Sequence, residues 1–594
     1  MRIREVDAEA GERPAHRAAE HASLAARNRP QRAVRVVCHI VAELPFLLLA
    51  VVQIAQGWRA TSDYAVVSIR SWAVFTSRTP LLGQISQATS CAGHTAFSPG
   101  PLQYWMLAFP VRIDMAHGVL WGSAVWCALG MLICVEAAWA VRGATGAVAV
   151  GVFAVVLAVT QPAVFVKPMW NPYFGVVWFA ATCMVAWAVA RGWLWWWPLL
   201  VLTASIAAQS HLDYALPAAL LAVLAPLLAT RLRRGVHRGK RAFAGSRVDA
   251  GEEERPVSWT GAEPGWRWIP VGLGVGAACW VTPLVQQLTG HPGNLSVLAR
   301  CVGGHRATGY RLGLGRLGSA VLPWPVWFHR QPVSAYALVQ GLASHSEGAG
   351  TAVLVLLAVV TVVAWIARRA DLAVIGAVAL VSAVSTVWEV ANQPVTSTTQ
   401  LGYVDVVLWP VGMLVWGVAA LTVAEASGTA FARWRGLRSR RGSVERSRPG
   451  TARRPRFGAA GWNVRGALLW GAASALLVCG AVNAVFLSGR ATYQAAQEVG
   501  GRGSFGAVTA AAAAAERAVP RGPFVISVEA PTATTSYALL YGSLWVLIGH
   551  GHEATAPGIF AGPIDPPARA VHGEPFVTVT VRADGKVSGV VVTR

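Results

Sequence analysis

Apolar residues along this chain gather in uninterrupted blocks of about 20, such as 351–367 and 464–488, separated by short polar joints. A block of that length is what a helix needs to cross ~30 Å of hydrocarbon. The pattern predicts eleven spans: 36–56, 117–141, 145–166, 173–190, 193–209, 214–230, 269–288, 351–367, 371–390, 404–424 and 464–488. The first block follows 33 largely polar residues, so it reads as a retained anchor rather than a cleaved signal. Residues 1–35, rich in Arg, Glu and Ala, are predicted to be a flexible cytoplasmic tail. No period of 20–50 residues recurs, which excludes a repeat array.

Composition agrees with the pattern. The 594 residues are 54% hydrophobic and 13% charged, about half the roughly 25% charge of soluble domains. A soluble globular enzyme and a disordered chain are both excluded. The net charge of +22 would suggest nucleic acid, but 17 of those charges lie in three segments, 1–35, 231–268 and 427–465. Basic segments flanking spans are what the positive-inside rule retains in the cytoplasm, so the charge reads as orientation and no nucleic-acid partner is expected.

With the N-terminus inside, every even-numbered span should end in the cytoplasm. Arg142, Arg191, Arg231 to Arg234, Arg368 and Arg369, and the 433–456 cluster all fall at such ends. The expected protein is therefore an all-α multi-pass protein of the plasma membrane, with a cytoplasmic N-terminus and an extracytoplasmic C-terminus. Its transmembrane domain covers 36–488, with basic cytoplasmic loops at 231–268 and 427–463 and outer loops at 57–116 and 289–350. Beyond it, 489–594 reads as a small α/β cap. An alanine-rich helix is predicted at 498–520, and FVISVE, SLWVLI and FVTVTVRADGKVSGVVV are read as strands.

The outer segments carry the candidate chemistry. Asp63 follows span 1 by about seven residues, and the apolar spacing from Tyr64 to Phe75 predicts an amphipathic helix lying in the outer interface. A half-desolvated carboxylate there could take a proton from a hydroxyl. The alternative is a helix cap, since Ser62 and Asp63 are both good cap residues.

The segments TPLLG, PGPLQYWMLAFP, WNPY, QSHLDYALP and PLVQQLTGHPGNL follow in that order between 79 and 295. Together they resemble an actinobacterial family of polytopic proteins similar to GT-C type glycosyltransferases, relatives of protein O-mannosyltransferases and of the lipid A aminoarabinose transferase. The resemblance spans roughly 57–300. It implies sugar transfer on the outer face from a polyprenyl-phosphate donor to a cell-envelope glycan or protein, with an acidic residue of the first outer loop, here Asp63, as base. Many relatives carry an acidic pair or a His-Pro-Gly-Pro motif. Here Asp63 stands alone and Ser98 takes the histidine's place, with His94 four residues upstream. A member that no longer catalyses stays open on that ground.

Further candidates for binding substrate or phosphate are His94, Lys167, Asn171, Gln209, His211, Asp213, Gln287, Asn294, His305 and Arg306. Lys167 is one of three lysines and would hold a phosphate, or else snorkel to lipid heads. His211 and Asp213 sit at a span end, facing a cavity or water. Arg300, His305, Arg306, Arg311 and Arg316 make the second outer loop basic against the positive-inside trend. Glu43, one turn after His39 within span 1, is expected to pair with it. The 27 tryptophans are first an interface belt; Trp72, Trp105 and Trp170 in outer segments could stack on sugars.

The eight cysteines show no zinc spacing. No cofactor is singled out, and a divalent cation is left open. Cys91 and Cys301 are the cysteines of the outer loops, and convergence of those loops in a GT-C arrangement would bring them within disulfide reach. A lipid-linked sugar transporter or flippase, and a non-catalytic partner in envelope assembly, are the competing functions. Related halves with midplane charges would favour transport, and neither is evident.

Overall fold

The computed structural model describes residues 6–86, 88–89, 93–243, 267–301, 308–321, 347–394, 406–444, 460–497, 502–556 and 574–593. Among them, nine helices are long and apolar enough to cross a membrane. The protein is multi-pass. Helix α1 (Val6–Ala55) begins within the stretch assigned to the tail, and its membrane-length part is Pro30–Ala55. After α2 (Ser62–Ala73) and α3 (Leu102–Ile113) come α4 (Gly118–Arg142), α5 (Ala144–Thr160), α6 (Pro162–Val166), α7 (Asn171–Ala190), α8 (Trp197–Ser210) and α9 (Ala215–Phe243). Then follow α10 (Trp268–Thr289), α11 (Asn294–Cys301), α12 (Tyr310–Val321), α13 (Glu347–Ile366), α14 (Ala370–Ala391), α15 (Leu408–Val444) and α16 (Ala460–Gln497).

Two of the eleven expected spans fall short of membrane length, for a local reason. Proline cannot donate to the preceding turn, so it starts helices and interrupts longer ones. Pro162 breaks the third expected span into α5 and α6, and Pro198 starts α8 after a single 3₁₀ turn at Leu194–Trp196. The 14 residues of α8 rise only ~21 Å, against ~30 Å of hydrocarbon.

Helix α7 is the hub. Ninety-four per cent of its membrane-length window is buried, against 17% for α10, so α7 sits inside the bundle while α10 exposes Val271, Leu273 and Leu288. Close approach to α9 depends on Gly175, where a Cβ would overlap the Tyr214 ring. Tyr214 Oη donates to the Pro172 carbonyl at 2.8 Å from the same contact.

Polar side chains define the two ends of the bundle. At one end Arg142 Nη2 pairs with Glu425 Oε1 at 2.8 Å, and Asp371 pairs with both Arg142 and Arg191. These ion pairs tie α4, α7, α14 and α15 together where the sequence places cytoplasmic span ends. Nearby in α1 and α4, Arg35 and His39 share Glu136, and His39 Nδ1 meets Glu43 Oε1 at 2.6 Å, the pairing expected one turn apart. The opposite end holds α2, α3, the α6–α7 joint and the C-terminal unit.

The C-terminal unit comprises α17 (Arg502–Ala518), β1 (Phe524–Glu529), α18 (Ala533–Gly549), β2 (Ala554–Thr555), β3 (Phe576–Val581) and β4 (Val587–Thr593). Its sheet order is β2-β1-β3-β4, with β1 parallel to β2 and β3, and β3 antiparallel to β4. Val577, Val579, Phe524 and Ile526 pack beneath the alanine-rich α17. The segment SLWVLI is helical, not a strand. It completes a 17-residue apolar helix that Thr532 caps by accepting from Thr535 N at 3.1 Å.

Candidate active site

Asp63 lies in the first turn of α2, whose buried face is Ala65, Val67, Ser68, Arg70 and Ser71. Thr61 is the residue before this helix and makes no side-chain cap bond. The Asp63 carboxylate turns away from a capping role: Tyr537 Oη donates to Oδ1 at 2.9 Å, and the Trp170 side chain also hydrogen-bonds it. Burial pushes this carboxyl above the usual carboxylate range, against the lowering effect of the Tyr537 and Trp170 bonds and of the Lys167 charge.

Lys167 ends α6 and is half-buried. Burial brings its ammonium down to about 7, opposed by the nearby Asp63 carboxylate. The Tyr537 and Tyr64 hydroxyls are pushed up by burial and, second, by Asp63, so both stay protonated. The result is a carboxylate and an amine that act on each other's charge, each held away from its solution proton affinity, with Tyr537 and Trp170 bonded to the carboxylate. Perturbed acid and base groups at one place are what proton-transfer sites require.

The quoted motifs build the frame around this pair. In WNPY, Trp170 packs edge-on against Tyr173 at 5.0 Å and Asn171 Nδ2 donates to the Ser210 carbonyl at 2.9 Å. In QSHLDYALP, Gln209 Nε2 donates to the Cys279 carbonyl at 2.7 Å, and its Oε1 receives Leu102 N at 3.4 Å. The PGPL turn lies so close to Gln209 that a Cβ at Gly100 would overlap its amide. His211 Nδ1 is 3.1 Å from Asp213 Oδ2, and Gln393 Nε2 donates to Asp213 Oδ1 at 3.3 Å. This second cluster is one peptide turn from Asn171 through Ser210.

The segments around Phe97 and Asn294 converge. Asn294 accepts Phe97 N at 2.9 Å and donates to the Phe97 carbonyl at 3.1 Å, while Gln287 clamps Ser296 through bonds of 2.6 and 3.2 Å. Ala88 and Ala96 pack on Val297 and Cys301 in a small core of their own. Cys301 is disulfide-bonded and six other cysteines are free thiols; Cys91 lies outside the described residues. Ser98 is buried, whereas His94 is exposed on the same loop.

His305 and Arg306 lie outside the described residues. Arg311 is exposed and pairs with Glu347 at 2.9 Å, and Arg316 is buried within α12. Among the described residues, no group of three or more His, Cys, Asp or Glu side chains could hold a metal ion. The residue that sequence reasoning missed is Tyr537, which lies 474 positions from its partner. Its available signal was the spacing of Tyr537 and Tyr541, one turn apart on a helix, with rings 4.8 Å apart.

No family model matches the chain, and no curated protein matches it. Among solved structures it is similar to ArnT from Cupriavidus metallidurans bound to undecaprenyl phosphate, at 14% identity and a TM-score of 0.41, covering 92% of each chain.

Proposed function

We propose that the protein is a membrane glycosyltransferase that moves a sugar from a polyprenyl-phosphate-linked donor to a cell-envelope acceptor on the outer face of the membrane. The observation that carries this reading is the half-buried Asp63 carboxylate, bonded by Tyr537 and within reach of the Lys167 charge, at the end of the bundle opposite the arginine ion pairs. Asp63 takes the proton of an acceptor hydroxyl as its oxygen bonds to the anomeric carbon. The bond from that carbon to the phosphate oxygen breaks in line, and polyprenyl phosphate leaves with the electron pair. Lys167, protonated once a phosphate lies beside it, stabilises the departing charge. The side-chain amides of Asn171, Gln209, Gln287 and Asn294 bind backbone and neighbouring side chains and hold the loops around the donor; His211 and Asp213 lie beside the Asn171–Ser210 bond.

In this reading the arginine end is cytoplasmic, and the Asp63 end with the C-terminal unit is outside. A membrane-impermeant thiol reagent applied to whole cells should label single cysteines placed in 500–556 and miss those in 430–444. Labelling of the latter would reverse the orientation. The functional test compares envelope glycans of a deletion strain with those of the strain carrying Asp63→Asn. The same missing sugar in both supports the reading, and a normal glycan with Asn in place removes Asp63 from it.

A further inference from the structure

The C-terminal unit meets the site in register. On α18, Tyr537 and Trp545 are eight residues apart; on α2 their partners Asp63 and Trp72 are nine apart. At ~1.5 Å per residue the two helices run parallel over ~12–14 Å with matched contacts at both ends. Trp545 packs edge-on against Trp72 at 6.3 Å, and its Nε1 donates to the Met115 carbonyl at 3.1 Å. Ser543 Oγ binds the Val508 carbonyl at 3.1 Å, fixing α18 to α17. Tyr537 therefore arrives at Asp63 from a helix anchored on three sides.

An ionised carboxylate has about four acceptor directions. The bonds from Tyr537 and Trp170 occupy two of them and stop the group from rotating. We infer that Tyr537 is a positioning residue: its hydroxyl fixes the Asp63 carboxylate so that a remaining lone pair faces the acceptor hydroxyl. The C-terminal α/β unit is then a working part of the transfer site, supplied from the far end of the chain. The inference rests on the assignment of Asp63 as base. The groups facing Asp63 are Lys167 and Trp170 from the α6–α7 joint and Tyr537 from α18, with Tyr64 on its own helix. Tyr104 and Tyr541 stand behind Tyr537.

Tyr537→Phe keeps the ring contact with Tyr541 and removes the hydroxyl alone. The full chain in nanodiscs is titrated by infrared spectroscopy, following the carboxylic-acid band that Asp63→Asn abolishes. Transfer is measured in parallel with undecaprenyl-phosphate-linked sugar as donor and cell-envelope glycan as acceptor. Loss of a hydrogen bond to a charged group should move the Asp63 midpoint up by about one to two pH units. Turnover at pH 7 should fall about tenfold or more, with the donor KM unchanged. An unchanged midpoint with unchanged turnover overturns the inference. So does faster turnover with a lower acceptor KM, because the tyrosine would then be occupying the acceptor's place. If Asp63→Asn is inactive while Tyr537→Phe is normal, only this inference fails. If Asp63→Asn is fully active, the base assignment fails and takes this inference with it.

Discussion

The two ends of the bundle treat charge in opposite ways. At one end Arg142, Arg191, Asp371 and Glu425 neutralise one another across four helices, with side chains about a fifth to a quarter exposed. At the other, Asp63 and Lys167 offset each other's desolvation only in part, and burial pushes both toward their uncharged forms. Mutual pairing is what a structural ion cluster does. Desolvation without full compensation costs stability and prepares groups to exchange protons, which is the usual mark of a functional site. The contrast predicts that equivalent carboxylate-to-amide changes at the two ends will fail in different ways.

The largest difference should be catalytic. Asp63→Asn preserves shape and removes the proton acceptor, so transfer should fall by about 10²–10⁴-fold with little change in thermal unfolding. Asp371→Asn, made in parallel, should leave transfer near normal. If Asp371→Asn proved the more damaging to transfer, the two ends would have been assigned the wrong roles.

Next in size is the lysine. Replacing Lys167 by Met removes one charge-assisted bond to phosphate and should weaken donor binding about 10–100-fold. The sign of the pH effect follows from its lowered proton affinity. Below about 7 the empty site carries the cation, and above it the cation is lost. Wild-type donor binding should therefore weaken as pH rises through about 7, and Lys167→Arg should flatten that limb. A pH-independent wild-type isotherm between pH 6 and 8 would contradict this role for Lys167.

Smaller again is the stability effect at the arginine end. Asp371→Asn leaves two half-buried guanidinium groups with one fewer partner and should cost about 1–3 kcal/mol, read as a lower unfolding midpoint in detergent. An unchanged midpoint would mean that the cluster holds nothing together. Least of all should be His94→Ala. The residue is exposed, and transfer should stay within about twofold. A loss of tenfold or more would bring His94 into the site.

Much of this architecture was readable from the chain because membrane helices announce themselves locally. Apolar length gave the spans, and the arginines at alternate span ends anticipated the cluster at Arg142 and Arg191. Two of the eleven stop short of membrane length where proline and a 3₁₀ turn truncate a helix inside an apolar run, which hydropathy does not register. Asp63 and Lys167 could each be singled out from their types and positions, but their juxtaposition depends on α2 packing beside the α6–α7 joint. Tyr537 stands one helical turn before Tyr541, but SLWVLI just beyond it alternates like a strand, and only the packing of α18 on α2 brings the tyrosine to Asp63. Loop convergence was implied by the resemblance to GT-C proteins, and the Asn294 side chain supplies a link by accepting Phe97 N and donating to the Phe97 carbonyl.

The central claim is that Asp63 performs chemistry on a lipid-linked sugar that Lys167 helps to hold. The most direct measurement uses purified protein in nanodiscs with undecaprenyl-phosphate-linked sugar, envelope glycan as acceptor, and polyprenyl phosphate release as the readout. Wild type should bind the donor and release polyprenyl phosphate, while Asp63→Asn binds it equally and releases at least a hundredfold less. Equal release by the two proteins, or no donor binding by either, would contradict the account.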